Sequence, residues 1–133
     1  MLSIALMHPQ MGHAGSEARV LRMLESLSGD YAVSLVTIGQ PDLARLNSQY
    51  RTALQKDQFA VVSVPVPFWM RPLVRFDPVR GSWYARFCRK IAREYDVVIS
   101  TYNFVDFGIR AIQCVADFCF DEHLREQWGH SLE

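Results

Sequence analysis

Net charge is the first thing this sequence lacks. Fourteen lysines and arginines cancel fourteen aspartates and glutamates over 133 residues, which removes the global electrostatic reason to expect a nucleic-acid partner. Cysteine is scarce too. Cys88, Cys114 and Cys119 are odd in number and form no C-x-x-C pair. Neither a disulfide framework nor a zinc site is expected, and a reduced, cytoplasmic setting fits. Long apolar runs are also missing. The first spans about six residues, has no basic leader and stops at His8-Pro9, too short for a signal peptide or a membrane span. Two phosphate-binding signatures are absent. Gly12-x-x-Gly15 is not the G-x-G-x-x-G of dinucleotide folds, and the second strand ends in Gly39-Gln40 rather than an acidic ribose ligand. No Lys-Ser/Thr pair follows the loop as a P-loop requires. Nicotinamide and ATP chemistry are therefore disfavoured, and no cofactor or metal is expected.

What is present is a core. Half of the residues are hydrophobic, and a chain of this length buries roughly two-thirds of its unfolded surface. One domain over residues 1–133 is expected. The apolar pattern alternates between two periods. Strands are predicted at 2–7, 31–38, 59–64, 96–101 and 111–116, and helices at 16–28, 42–55, 82–95 and 121–128. Ser16 is read as the cap of the first helix, with Glu17 in its first turn and Gly29 as its stop. Residues 68–78, broken by prolines, are left irregular. Strands alternating with helices demand right-handed parallel crossovers. The fold class is therefore α/β, a doubly wound parallel sheet with helices on both faces.

Chemistry in such sheets gathers at the carboxyl ends of the strands. The first loop, residues 8–15, opens a helix there, where unpaired amides and the positive end of the dipole attract anions. Gly12 and Gly15 are read as a close approach to a ligand or as a structural turn. His8 and His13 are read as donors or bases for a phosphate, or as exposed loop residues. Past the fourth strand come Ser100-Thr-Tyr-Asn103 and Asp106, in which Asn103 is suited to sugar hydroxyls and Asp106 to orienting it, unless both bond local backbone. Asp117 follows the fifth strand as a base, a hydroxyl ligand or a helix cap. His123 and His130 have no partner at metal-ligand spacing.

Several segments resemble one family in order along the chain. They are Ile4-Ala-Leu-Met-His-Pro, Ala14-Gly-Ser-Glu-Ala-Arg-Val-Leu21, Tyr31-Ala-Val-Ser-Leu-Val-Thr37 and Asp96-Val-Val-Ile-Ser-Thr-Tyr-Asn103 with Asp106-Phe-Gly108. The chain from Leu2 to Ala116 is similar to the amino-terminal domain of group-1 retaining glycosyltransferases of the GT-B fold. The resemblance implies two Rossmann-like domains facing across a cleft. The first holds the acceptor and brings its glycine loop to the donor's phosphates. The second binds the nucleotide sugar through a Glu-x7-Glu motif. On that basis Gly12, Gly15 and Ser16 would line the cleft, and Asn103 and Asp106 would face the acceptor. His13 and Asp117 join these as substrate-binding candidates on their loop positions, not on the resemblance. The chain departs from the pattern in lacking the second domain and a matching Glu-x7-Glu motif, in having Ala14 where many members have glycine, and in having Ala116-Asp117 near a common histidine. The expectation is therefore half of an enzyme. The parent would move a hexose from a UDP- or GDP-sugar to a hydroxyl on a sugar or lipid-linked acceptor, and the isolated chain would be inactive.

A rival reading is a stand-alone binding module, or one subunit of a split enzyme, whose uncovered apolar surface favours a homodimer or another partner. Charge is also uneven. Seven cations stand between Val66 and Tyr95 against Asp77 and Glu94, and five acids after Val115 against Arg125. These runs are read as solvated faces, or the first as a basic face for phosphate or an anionic membrane. Residues 68–76 mix aromatics with Arg71 and Arg75, so peripheral membrane contact is a further expectation.

Overall fold

Four runs of aliphatic and β-branched residues, each bounded by turn residues, form the centre of the molecule. The structure, a computed structural model, describes residues 1–12, 15–102 and 105–114. In chain order its elements are β1 (Ser3–Met7), α1 (Ser16–Leu27), β2 (Ala32–Ile38), α2 (Leu43–Tyr50), β3 (Ala60–Val64), α3 (Asp77–Ile91), β4 (Val97–Ser100) and β5 (Ile112–Gln113). The strands form one five-stranded sheet in the order β3-β2-β1-β4-β5. Every pairing is parallel, with Leu6 opposite both Leu35 and Ile99.

Alternation along β1 divides the core into two layers, as the two-residue strand period requires. Ile4 and Leu6 face Val20, Leu21 and Leu24 of α1 and Leu43 and Leu46 of α2. Ala5 and Met7 face the other way, toward Tyr84 and Cys88 of α3 and toward Phe107. Leu6, Leu21, Leu24 and Leu46 have no exposed surface, and burying each stabilises the fold by roughly 1.5–3 kcal/mol. With α1 and α2 on one face and α3 on the other, the protein is a Rossmann-like, doubly wound α/β sheet, as the sequence pattern predicts.

The helix ends differ from expectation for local reasons. Ser16 is the first helical residue rather than the cap, a position taken by Gly15, which makes no side-chain capping bond. Gly29 is not a left-handed stop. Ser28 closes α1 instead, donating both its amide and its hydroxyl to the Leu24 carbonyl. The predicted helix at 42–55 is shorter. Asp42 caps α2 by accepting the Arg45 amide, and the helix ends at Arg51 with φ 53°. There the Asn47 side chain accepts the Leu54 amide and donates to the Leu54 carbonyl, holding the chain in a return loop. The proline-rich stretch is not irregular. It forms two short 3-10 turns, Phe68–Met70 and Leu73–Arg75, and then enters α3 five residues before the predicted start. Pro78 lies in the first turn of α3, where its missing amide costs nothing.

The fifth strand spans Ile112–Gln113. Ala111 and Cys114, inside its predicted span, are described but are not strand, and residues 115–116, like the helix at 121–128, lie outside the described residues. Among the described residues no helix is long and apolar enough to cross a membrane.

Candidate functional site

The carboxyl ends of β1 and β4 lie side by side, Met7 opposite Ser100. From there the chain leaves in opposite directions. β1 runs into α1 on the way to β2, and β4 runs on toward β5 at the other side of the sheet. This is the switch point at which an open parallel sheet leaves a crevice. The backbone ladder continues past the strands and fixes the rim. The Thr101 amide donates to Met7 O at 3.1 Å, the His8 amide to Val36 O at 3.0 Å, and the Ile38 amide to Pro9 O at 2.9 Å.

The crevice is a cleft of about 310 Å³. Its walls are the loop after β1 (His8, Pro9, Gln10 and Gly12), the first turn of α1 (Ser16 and Glu17), Tyr102 after β4 and Arg80 from α3. His8 is 1% exposed, so it is neither a surface histidine nor a mobile donor. Its Nδ1 lies 2.9 Å from Thr101 Oγ1, and Thr101 Oγ1 lies 3.2 Å from the Met7 carbonyl. The Tyr102 ring stands edge-on to the imidazole, centroids 5.8 Å apart. Burial pushes the His8 pKa down to about 4, against the opposing pull of the Glu17 carboxylate and the Gln10 backbone. The ring is therefore neutral at pH 7. It links β1 to β4 and offers no positive charge to a phosphate.

Glu17 is the residue that sequence reasoning undervalued. It is 2% exposed. Oε1 accepts the Gly12 amide at 2.7 Å, which pulls the loop over the helix start. Oε2 is buried and, among the described residues, has no hydrogen-bond partner. The carboxylate thus occupies the positive end of the α1 dipole, the place where an incoming anion would sit. Arg80 supplies the cation of the cleft. It pairs with Asp77 one turn earlier on α3, and it was legible only as one of a run of basic residues.

Of the residues singled out in the sequence, Gly12 and Ser16 line the cleft. Gly15 adjoins it as the α1 cap, with φ −64°. A Cβ there would meet nothing within 4 Å, so this glycine leaves the helix end bare rather than permitting a strained turn. Asp106 is not brought to the cleft. Its carboxylate pairs with Arg89 of α3 and accepts the Gly108 amide, and its carbonyl accepts Arg89 Nε at 2.7 Å. It ties the loop after β4 to a helix. His13, Asn103 and Asp117 lie outside the described residues.

Two glutamates, Glu17 and Glu25, do stand at the Glu-x7-Glu spacing, but they share no site. Glu25 accepts the Ala53 amide and pairs with Arg22 on the outer side of α1. The Cys88 thiol is raised to about 12 by burial, partly opposed by its hydrogen bond with Tyr84, and is not a nucleophile. Among the described residues no cluster of histidine, cysteine, aspartate or glutamate is placed to hold a metal. No protein-family model, no curated protein and no solved structure matches this chain.

Proposed function

We propose that this chain is the acceptor-side Rossmann-like domain of a glycosyltransferase of GT-B architecture, acting with a donor-binding domain that these residues do not contain. One observation carries the reading. The cleft lies at the switch point of a parallel sheet, and its lining includes hydroxyl-bearing and backbone polar groups. Backbone and side chain of Ser16 and the phenol of Tyr102 are donors and acceptors of the kind a sugar ring requires, and the buried Glu17 carboxylate holds the Gly12 backbone beside them. Glu17 already complements the helix dipole, so an anionic group is directed to Arg80 on the opposite wall rather than to the α1 amides. The domain would hold and orient the acceptor hydroxyl, a contribution from positioning. Transfer itself would need the diphosphate of a UDP- or GDP-sugar held by the second domain.

Amide chemical shifts test this directly. Titrating the labelled chain with simple hexosides, UDP-glucose and GDP-mannose should move the Gly12, Gly15, Ser16 and Tyr102 amides, and NADH should not. Glycosides should act without a nucleotide attached. Shifts confined to other surfaces, or a stronger response to NADH than to any sugar, would remove the reading.

A further inference from the structure

Four of the large apolar side chains that remain exposed lie within nine residues of one another. Phe68 is 83% exposed, Trp69 65%, Leu73 44% and Phe76 63%. They sit on the two 3-10 turns between β3 and α3. Looseness does not explain the exposure, because the strap is pinned from below. Met70 is buried and Trp83 Nε1 of α3 donates to Pro65 O at 2.9 Å, while within the strap the Met70 amide closes one turn on Pro67 O at 2.9 Å and the Phe76 amide the other on Leu73 O at 3.1 Å. The base is fixed while the aromatics face solvent.

Charge selects what would cover them. Arg71 and Arg75 are exposed within the strap, and no acidic residue occurs between Asp57 and Asp77. Asp77 is itself engaged by Arg80. Arg86 of α3 shares a shallow groove with Met70 and Trp83 at the foot of the strap. An occupant must therefore offer apolar depth beneath a layer of negative charge. A stable protein interface draws on roughly 20–30 residues a side, more than this strap supplies. A bilayer makes no such demand, and aromatic residues interleaved with arginine suit its headgroup–acyl boundary.

We propose that residues 67–76 form a membrane-docking strap that seats Phe68, Trp69, Leu73 and Phe76 in the interface of an anionic leaflet, with Arg71 and Arg75 among the headgroups. The strap leaves the carboxyl end of β3, and α3, which follows it, carries Arg80 into the cleft. Docking thus brings the cleft to the membrane surface. The inference does not rest on the glycosyl-transfer reading. If both hold, the acceptor is lipid-anchored.

Flotation with phosphatidylcholine vesicles, with and without phosphatidylglycerol, tests it at low ionic strength. The intact chain should float with the anionic vesicles and much less with the neutral ones. Arg71→Gln with Arg75→Gln should weaken partition roughly thirtyfold, two cations' worth of attraction to the surface. Trp69→Ser with Phe76→Ser should weaken it by about tenfold or more. Both pairs are exposed, so their thermal midpoints should match the parent. The Trp69 variant should also lose the blue shift of fluorescence on lipid addition. The inference is overturned by failure to float with anionic vesicles, by flotation indifferent to the aromatic pair, or by lipid-free dimerisation that the aromatic pair abolishes, which would assign the surface to a second copy of the chain.

Discussion

The two ends of the β1–β4 pair are tied in opposite ways. At the amino end, Asp96 Oδ2 accepts both the amide and the hydroxyl of Ser3 at 2.8 Å, and the Asp96 amide donates back to Ser3 Oγ at 3.1 Å. Asp96 is exposed there and water competes for every partner. At the carboxyl end, His8 and Thr101 make the equivalent tie while 1% and 0% exposed. One end is a surface clamp whose polar groups cost little. The other buries an imidazole, paired with Thr101, and a Glu17 oxygen that has no partner among the described residues, an expense that packing alone would avoid with aliphatic side chains. Polar burial at the rim, next to the cleft, and its absence at the amino edge are what separate a candidate site from scaffold.

Acid sharpens this contrast most. His8 titrates at about 4 in the folded chain against 6.5 unfolded. Its folded value is depressed, so between those values the unfolded chain binds more protons and stability falls as pH falls. The loss begins near pH 6.5 and is complete near pH 4, and over that window it amounts to about 3 kcal/mol. Urea unfolding across the range measures it. In His8→Gln, which keeps a hydrogen-bonding side chain without a titrating ring, the slope between those pH values should flatten. An unchanged slope would mean that His8 is not the buried base of the rim.

Glu17 gives a smaller effect with a local signature. Glu17→Ala removes the acceptor of the Gly12 amide and should cost about 1–2 kcal/mol. Hydrogen exchange should quicken sharply at Gly12 and little at Val20 or Leu24 on the same helix. Glu17→Gln retains an acceptor oxygen and should keep most of the Gly12 protection. Equal loss in both variants would show that charge at the helix start, not the single bond, holds the loop.

How much of this was legible in the sequence follows from how local each cause is. β1 to β4 begin and end within a residue of expectation because each is a short aliphatic run between turn residues, and both signals are local. β5 has two residues and a weak pattern, and strand pairing decides it. Gly12 and Ser16 were legible as cleft residues because they stand in the loop between β1 and α1 and at the helix start. Glu17 was legible as a first-turn acid but not as a buried one, since its burial depends on the loop folding back so that Gly12 meets Oε1. Arg80 reaches the cleft only because the β3–α3 crossover returns to the centre of the sheet. Asp106 pointed toward an acceptor in the sequence and toward Arg89 in the fold, a choice set by α3 lying beneath its loop.

The amino end should respond least, and on a different part of the pH scale. The Ser3 amide and hydroxyl hold the Asp96 carboxyl below its ordinary value of 3.8. A depressed carboxyl contributes stability that is present above the unfolded value and lost as pH falls through the folded one. Its window therefore lies below about pH 4, beneath the His8 limb, and solvent screening at this exposed site keeps it the smaller of the two. Asp96→Asn should remove only the lowest part of the acid profile and leave the slope between pH 6.5 and 4 intact, and His8→Gln should do the reverse. The double variant should show the sum of the two, because the residues sit at opposite ends of the strands and share no partner. If Asp96→Asn altered the upper limb, the two ends would be coupled through β1 and β4, and the rim could not be treated as a site with its own energetics.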